Sequence, residues 1–129
     1  MTENEIGGKI IETAIRIHKD LGPGLLESVY EIVLKQELLA QGLKVERQVA
    51  IPIKYKDYEF NDAFRADLVV EDKVIVELKG VENLNKVCRK QLLTYLRLAD
   101  IKLGYLLNFG KALMKDGIVR TVNGLAETE

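Results

Sequence analysis

Two apolar runs around a three-residue turn constrain this chain more than any other feature. Residues 64–79 read FRADLVVEDKVIVELK. Phe64–Val70 and Val74–Lys79 are rich in Val, Ile and Leu and contain no Gly or Pro, so they predict two β-strands joined at Glu71-Asp72-Lys73. A turn centred on Asp72 sets Asp67 opposite Glu77 and Arg65 opposite Lys79. Side chains alternate along a strand, so these four share one face. Directly opposed carboxylates repel and destabilise a hairpin, and a bound cation is the simplest reason to keep such a pair. Two other readings stand beside this one. A two-residue turn shifts the register by one and separates the pair. On a wet edge strand, Asp67, Glu77 and Lys79 are ordinary solvated charges. Against the edge reading, Ala66, Leu68, Val70, Val74, Val76 and Leu78 fill the opposite face, while Val69 and Ile75 make the charged face partly apolar. That is the pattern of strands covered on both sides, with the charges gathered at one end where a cleft opens.

The flanking segments supply helices. Residues 5–20 read as a helix, with Ile10, Ile11, Ala14, Ile17, His18 and the adjoining Leu21 at helical spacing. His18 is the one histidine. On an apolar stripe it reads first as a packed, hydrogen-bonded residue, and alone it supplies no multi-histidine zinc site. Gly22-Pro23-Gly24 ends this helix and starts a second that runs to about Ala40, with Leu26, Val29, Tyr30, Val33 and Leu34 expected inward. Glu27 lies one turn before Glu31, which sets their carboxylates on one side. A first-turn acid such as Glu27 is also favoured by the helix dipole alone. Leu43–Val49 and Ile51–Tyr58 read as two strands around Pro52, an edge or bend position, with 59–62 as a connection. Asn83 is a candidate cap for a helix over 84–99. Gln91 falls within the apolar stripe of that helix, where a buried amide needs partners, whether structural or at the charged end of the sheet. Lys86, Arg89 and Lys90 make the helix basic: a solvated face, or the best local surface for phosphate. Lys102–Phe109 and residues 117–122 complete the strands. Helices alternating with a mixed sheet indicate an α/β or α+β sandwich, read as one domain over 1–129.

The totals exclude several classes. Hydrophobic residues make 47% and charged residues 30% of the chain, the balance of a soluble globular protein. A net charge of −1 gives no global attraction for nucleic acid, so such binding must come from a local patch. A single cysteine, Cys88, forms no internal disulfide and fits a reducing compartment. The sequence shows no signal-peptide pattern and no apolar run of membrane-spanning length. The expected address is cytoplasmic, with no membrane partner.

Asp67, nine intervening residues and then Glu77-Leu78-Lys79 resemble the PD-(D/E)XK signature of the restriction-endonuclease-like superfamily. More closely, the chain resembles the GxxExxY family. Gly24, Glu27 and Tyr30 match the residues of that name, and similar stretches stand at 21–31, 64–81, 91–96 and 104–110. Two positions depart from the pattern. Ala66 replaces the motif proline, and Cys88 stands where similar sequences often carry histidine, so any role of that histidine does not carry over. The resemblance implies a central mixed β-sheet flanked by helices and a metal-dependent nuclease acting on DNA. Asp67, Glu77 and the Leu78 carbonyl would hold Mg²⁺ or Mn²⁺. Lys79 would position or activate the attacking water, Glu27 would complete the acidic cluster, and Gln91 would orient Lys79 or the nucleophile. Lys86, Arg89 and Lys90 would meet nucleic acid. Two other readings remain: a catalytically silent nucleic-acid-binding or assembly module on the same fold, and a homodimer built on the apolar first helix.

Overall fold

The computed structural model describes residues 1–126; residues 127–129 of the expected domain lie outside the described residues. The order is α1 (Glu3–Leu21), α2 (Glu27–Ala40), β1 (Val45–Tyr55), β2 (Tyr58–Val70), β3 (Val74–Lys79), α3 (Lys86–Ala99), β4 (Leu103–Asn108), a short 3-10 helix (Met114–Gly117) and β5 (Ile118–Val122). The sheet runs β1-β2-β3-β4-β5, parallel between β3 and β4 and antiparallel elsewhere. It is the mixed sheet flanked by helices that the sequence predicts.

The central hairpin keeps the expected register. Val70 pairs with Val74, Val69 with Ile75 and Leu68 with Val76. Glu71 and Asp72 carry the turn at φ 54° and 55°. On one face, Leu68, Val70, Val74, Val76 and Leu78 pack with Ile6, Ile10, Ala14 and Ile17 of α1 and with Tyr30, Leu34 and Leu38 of α2. On the other, Val69, Ile75 and Leu106 pack with Leu92 and Leu96 of α3. Burying each large aliphatic side chain is worth roughly 1.5–3 kcal/mol, which is why β3 and β4, covered twice, are apolar almost throughout. Ala66 departs from the expected alternation and packs on the α3 side with Val69.

Thr2 caps α1 and Glu5 returns the bond to the Thr2 backbone, so the helix starts at Glu3. His18 is buried, and its Nε2 lies 2.8 Å from the Lys111 carbonyl oxygen, a packed residue as its stripe predicts. Three further expectations fail. In α2, Tyr30, Glu31, Leu34 and Leu38 are buried, while Leu26 is 76% exposed and Val29 is exposed, because the helix begins only at Glu27 and turns a narrower face inward. The two strands expected around Pro52 are one long β1. Pro52 sits at a register shift on this edge strand, where a missing N–H costs no ladder bond, and residues 59–62 belong to β2. Finally, α3 is capped by Asn85, whose side chain accepts the Cys88 N–H, whereas Asn83 accepts from Lys111 Nζ.

Candidate functional site

The β2–β3 ladder ends at the pair Leu68–Val76. One step further, at Asp67 and Glu77, the strands part. The Leu78 N–H donates to the Asp67 side chain, 2.9 Å from Oδ2, rather than to a backbone carbonyl. A cavity of about 230 Å³ lies at this fork. Arg65 and Asp67 of β2 and Glu77, Leu78 and Lys79 of β3 form one side, Glu27 of α2 reaches it, and Cys88, Gln91 and Tyr95 come from α3. Asp67 and Glu77 therefore face the same space, as the three-residue turn requires.

Glu77 is only 8% exposed, and its Oε1 has no hydrogen-bond partner. Loss of water pushes its carboxyl up to about 9, and the neighbouring Asp67 carboxylate adds to the effect, with Lys79 partly opposing it. Two carboxylates so placed do not both ionise readily without a counter-charge. Tyr95 is raised as well, by burial and then by Glu77 and Asp67. The donor set is oxygen-only at its centre, and Mg²⁺ or Mn²⁺ is held by one or two carboxylates together with water and phosphate, so the residues fit such an ion. Among the described residues no three or more His, Cys, Asp or Glu side chains gather as a metal cluster.

Glu27 lines the cavity together with the Asp67–Glu77 pair. Its Oε2 accepts the Gly80 N–H at 2.6 Å, so it secures the chain immediately after Lys79. Tyr30 holds the turn before it: its hydroxyl donates to the Gly22 carbonyl at 2.5 Å and accepts from the Leu25 N–H at 3.1 Å. Asn108, at the end of β4, accepts the Val81 and Gly110 N–H groups through Oδ1 and clamps the loop beyond Lys79. Gly110 is required there, since a Cβ would lie 2.3 Å from the Val81 carbonyl oxygen. Gln91 lines the cavity but is exposed, so the buried amide expected from its stripe is not found; α3 turns Leu92 and Leu96 inward instead. Lys86, Arg89 and Lys90 are exposed on the first turns of α3, outside the cavity lining.

A sequence-family model for the PD-(D/E)XK nuclease superfamily matches residues 4–121. This chain belongs to that superfamily. No curated protein and no solved structure matches it significantly. The mixed five-stranded sheet with three helices is consistent with the superfamily's restriction-endonuclease-like fold, and membership suggests nuclease activity on a nucleic-acid partner with a divalent ion. No helix among the described residues is long and apolar enough to cross a membrane.

Sequence reasoning missed a second polar group behind the superfamily site. Glu31 of α2 is buried and ion-paired with Arg47 Nε. Gln48 Nε2 donates to Glu31 Oε1 at 2.9 Å and to Asp67 Oδ1 at 3.2 Å. Burial and Asp67 raise the Glu31 carboxyl, with Arg47 and Gln48 opposing. One signal was available: Arg47 alternates with Val45 and Val49, a cation on an apolar face that demands a buried anion. Glu27 and Glu31 serve different partners rather than one shared acidic side.

Proposed function

We propose that this chain is a Mg²⁺- or Mn²⁺-dependent nuclease that hydrolyses phosphodiester bonds of DNA. Asp67 and Glu77 are the carboxylate ligands, and the Leu78 carbonyl supplies a further oxygen. The observation that carries the reading is Glu77: a desolvated carboxylate with a buried, unpartnered oxygen beside a second carboxylate. A proton quiets only one member of such a pair, whereas a hard cation suits both. When bound, the cation supplies Lewis-acid polarisation of a phosphate oxygen and acidifies the attacking water. Lys79 positions that water or stabilises charge on the phosphoryl oxygens. Glu27 fixes the loop that follows Lys79 by holding the Gly80 N–H, and Gln91 contacts substrate or nucleophile from the cavity rim. Lys86, Arg89 and Lys90 meet the nucleic-acid backbone from α3. Gly24, Glu27 and Tyr30, with the turn that Tyr30 staples, favour placement in the GxxExxY family. The proposed setting is cytoplasmic, with one domain over the whole chain and a homodimer as its assembly.

The second reading is a catalytically silent nucleic-acid-binding or assembly module on the same fold. Both readings meet the same experiment. The protein is mixed with Mn²⁺ and single-stranded DNA, duplex DNA and RNA, beside an Asp67→Ala control. Metal-dependent DNA cleavage that disappears in the variant supports the nuclease. Cleavage unchanged by Asp67→Ala removes this site, and binding without any cleavage selects the silent module.

A further inference from the structure

We infer that Gln48 is a positioning residue for the metal-binding carboxylate Asp67, an assignment that rests on the metal-site reading above. Gln48 lies in β1 between the paired positions Arg47–Leu68 and Val49–Ala66, yet its own φ is 54°. A side chain with a Cβ seldom adopts this left-handed backbone, least of all inside a strand, and such strain gathers at functional sites. Here the distortion does two things at once. It brings the side-chain amide within hydrogen-bond distance of both Glu31 and Asp67. It also presents the Gln48 carbonyl oxygen to Arg65 Nη1 at 3.4 Å, and Arg65 lines the cavity.

The chemistry of the group matters as much as its place. Asp67 is held from both oxygens, by Gln48 Nε2 on Oδ1 and by the Leu78 N–H on Oδ2. Among the described residues its carboxylate is thereby oriented by neutral donors only. A lysine or arginine in place of Gln48 would orient it too, but would neutralise the charge that a cation needs. Arg47 instead satisfies Glu31, and Glu31 in turn anchors the Gln48 amide. Groups that orient a metal ligand from behind typically change metal affinity by roughly 10–100-fold when removed.

The test uses Mn²⁺ titration calorimetry and thermal melting on the wild type, Gln48→Gly, Gln48→Asn and Asp67→Asn. Glycine and asparagine both tolerate the left-handed backbone, but neither carries the amide to Asp67. The expected result is a Gln48→Gly variant that still folds and melts cooperatively, with Mn²⁺ affinity weaker by about 10–100-fold. A purely structural role would not separate these two readouts. If Gln48→Gly binds Mn²⁺ like the wild type while Asp67→Asn does not, the Gln48 assignment is overturned and the metal site stands. If the wild type itself binds no Mn²⁺, the metal reading falls and takes the assignment with it. Gln48→Asn decides the matter if the glycine variant does not fold. Loss of folding in both would make Gln48 a stability residue and overturn the proposal.

Discussion

Glu31 and Glu77 are both buried carboxylates, yet only one of them is answered by the protein. Glu31 has Arg47 on one oxygen and the Gln48 amide on the other. Glu77 has a neighbouring carboxylate and an oxygen with no partner. A buried charge with an internal counter-ion is a finished piece of structure. A buried carboxyl without one keeps its proton, and its ionised form costs stability until something from outside supplies the opposite sign. The two sites lie either side of Asp67, which faces both.

The sharpest way to break the comparison is at Glu77. Glu77→Gln keeps the shape and removes the ligand, so Mn²⁺-dependent cleavage should fall by more than about a hundredfold. The metal-free variant should also melt differently with pH. Glu77 is raised from 4.5 to about 9, so the folded state holds a proton that the unfolded chain has released. Its stabilising contribution is complete below about 4.5 and is lost as pH rises toward about 9, at up to roughly 1.4 kcal/mol per unit. Melting curves across that window should slope downward in the metal-free wild type and flatten both in Glu77→Gln and on addition of Mn²⁺. A slope that persists unchanged in the variant would assign the titration to another group.

At the answered site the expectation reverses. Arg47→Ala strands the Glu31 carboxylate and should destabilise the protein by about 1–3 kcal/mol, reduced from the fully buried case because the Arg47 side chain is 36% exposed. Added Mn²⁺ should not restore the loss, and denaturant unfolding with and without the ion checks this. Full rescue would mean that the two carboxylates are interchangeable. The smallest effect belongs to the surface: changing Lys86, Arg89 and Lys90 together to Ala should leave melting and Mn²⁺ binding intact. It should make the salt dependence of DNA binding shallower, lowering the slope of log K against log salt by about one for each phosphate no longer neutralised. An unchanged slope would place the nucleic acid elsewhere.

How far the sequence reaches follows the same division. The Asp67–Glu77 fork is legible because it depends on local things: alternation, a turn of defined length and β-branched runs that set the register. The long β1 reads as two strands because Pro52 looks like an end when no edge is in view. The inward face of α2 is hard to read since apolar residues such as Leu26, Val29 and Ile32 remain exposed, leaving little contrast between its sides. Gln91 reads as buried because its helical position resembles that of Leu92, and a rotation of α3 by one residue decides between them. The Gln48 hydrogen bonds need the most: a backbone angle, a strand pairing and a helix docking that no short window of sequence specifies.

The parting of β2 from β3 at Asp67 leaves the far end of the β1–β2 ribbon supported differently from its base. Phe64 stacks on Tyr95 at a 3.6 Å ring separation, and beyond it Tyr55, Tyr58 and Phe60 are exposed. Two consecutive opposed pairs, such as Ile53–Phe60 and Lys54–Glu59, can be removed together without changing which side of the sheet any remaining residue faces. The outer ribbon is thus an adjustable arm, with a length that can change while the Asp67–Glu77 fork keeps its dimensions.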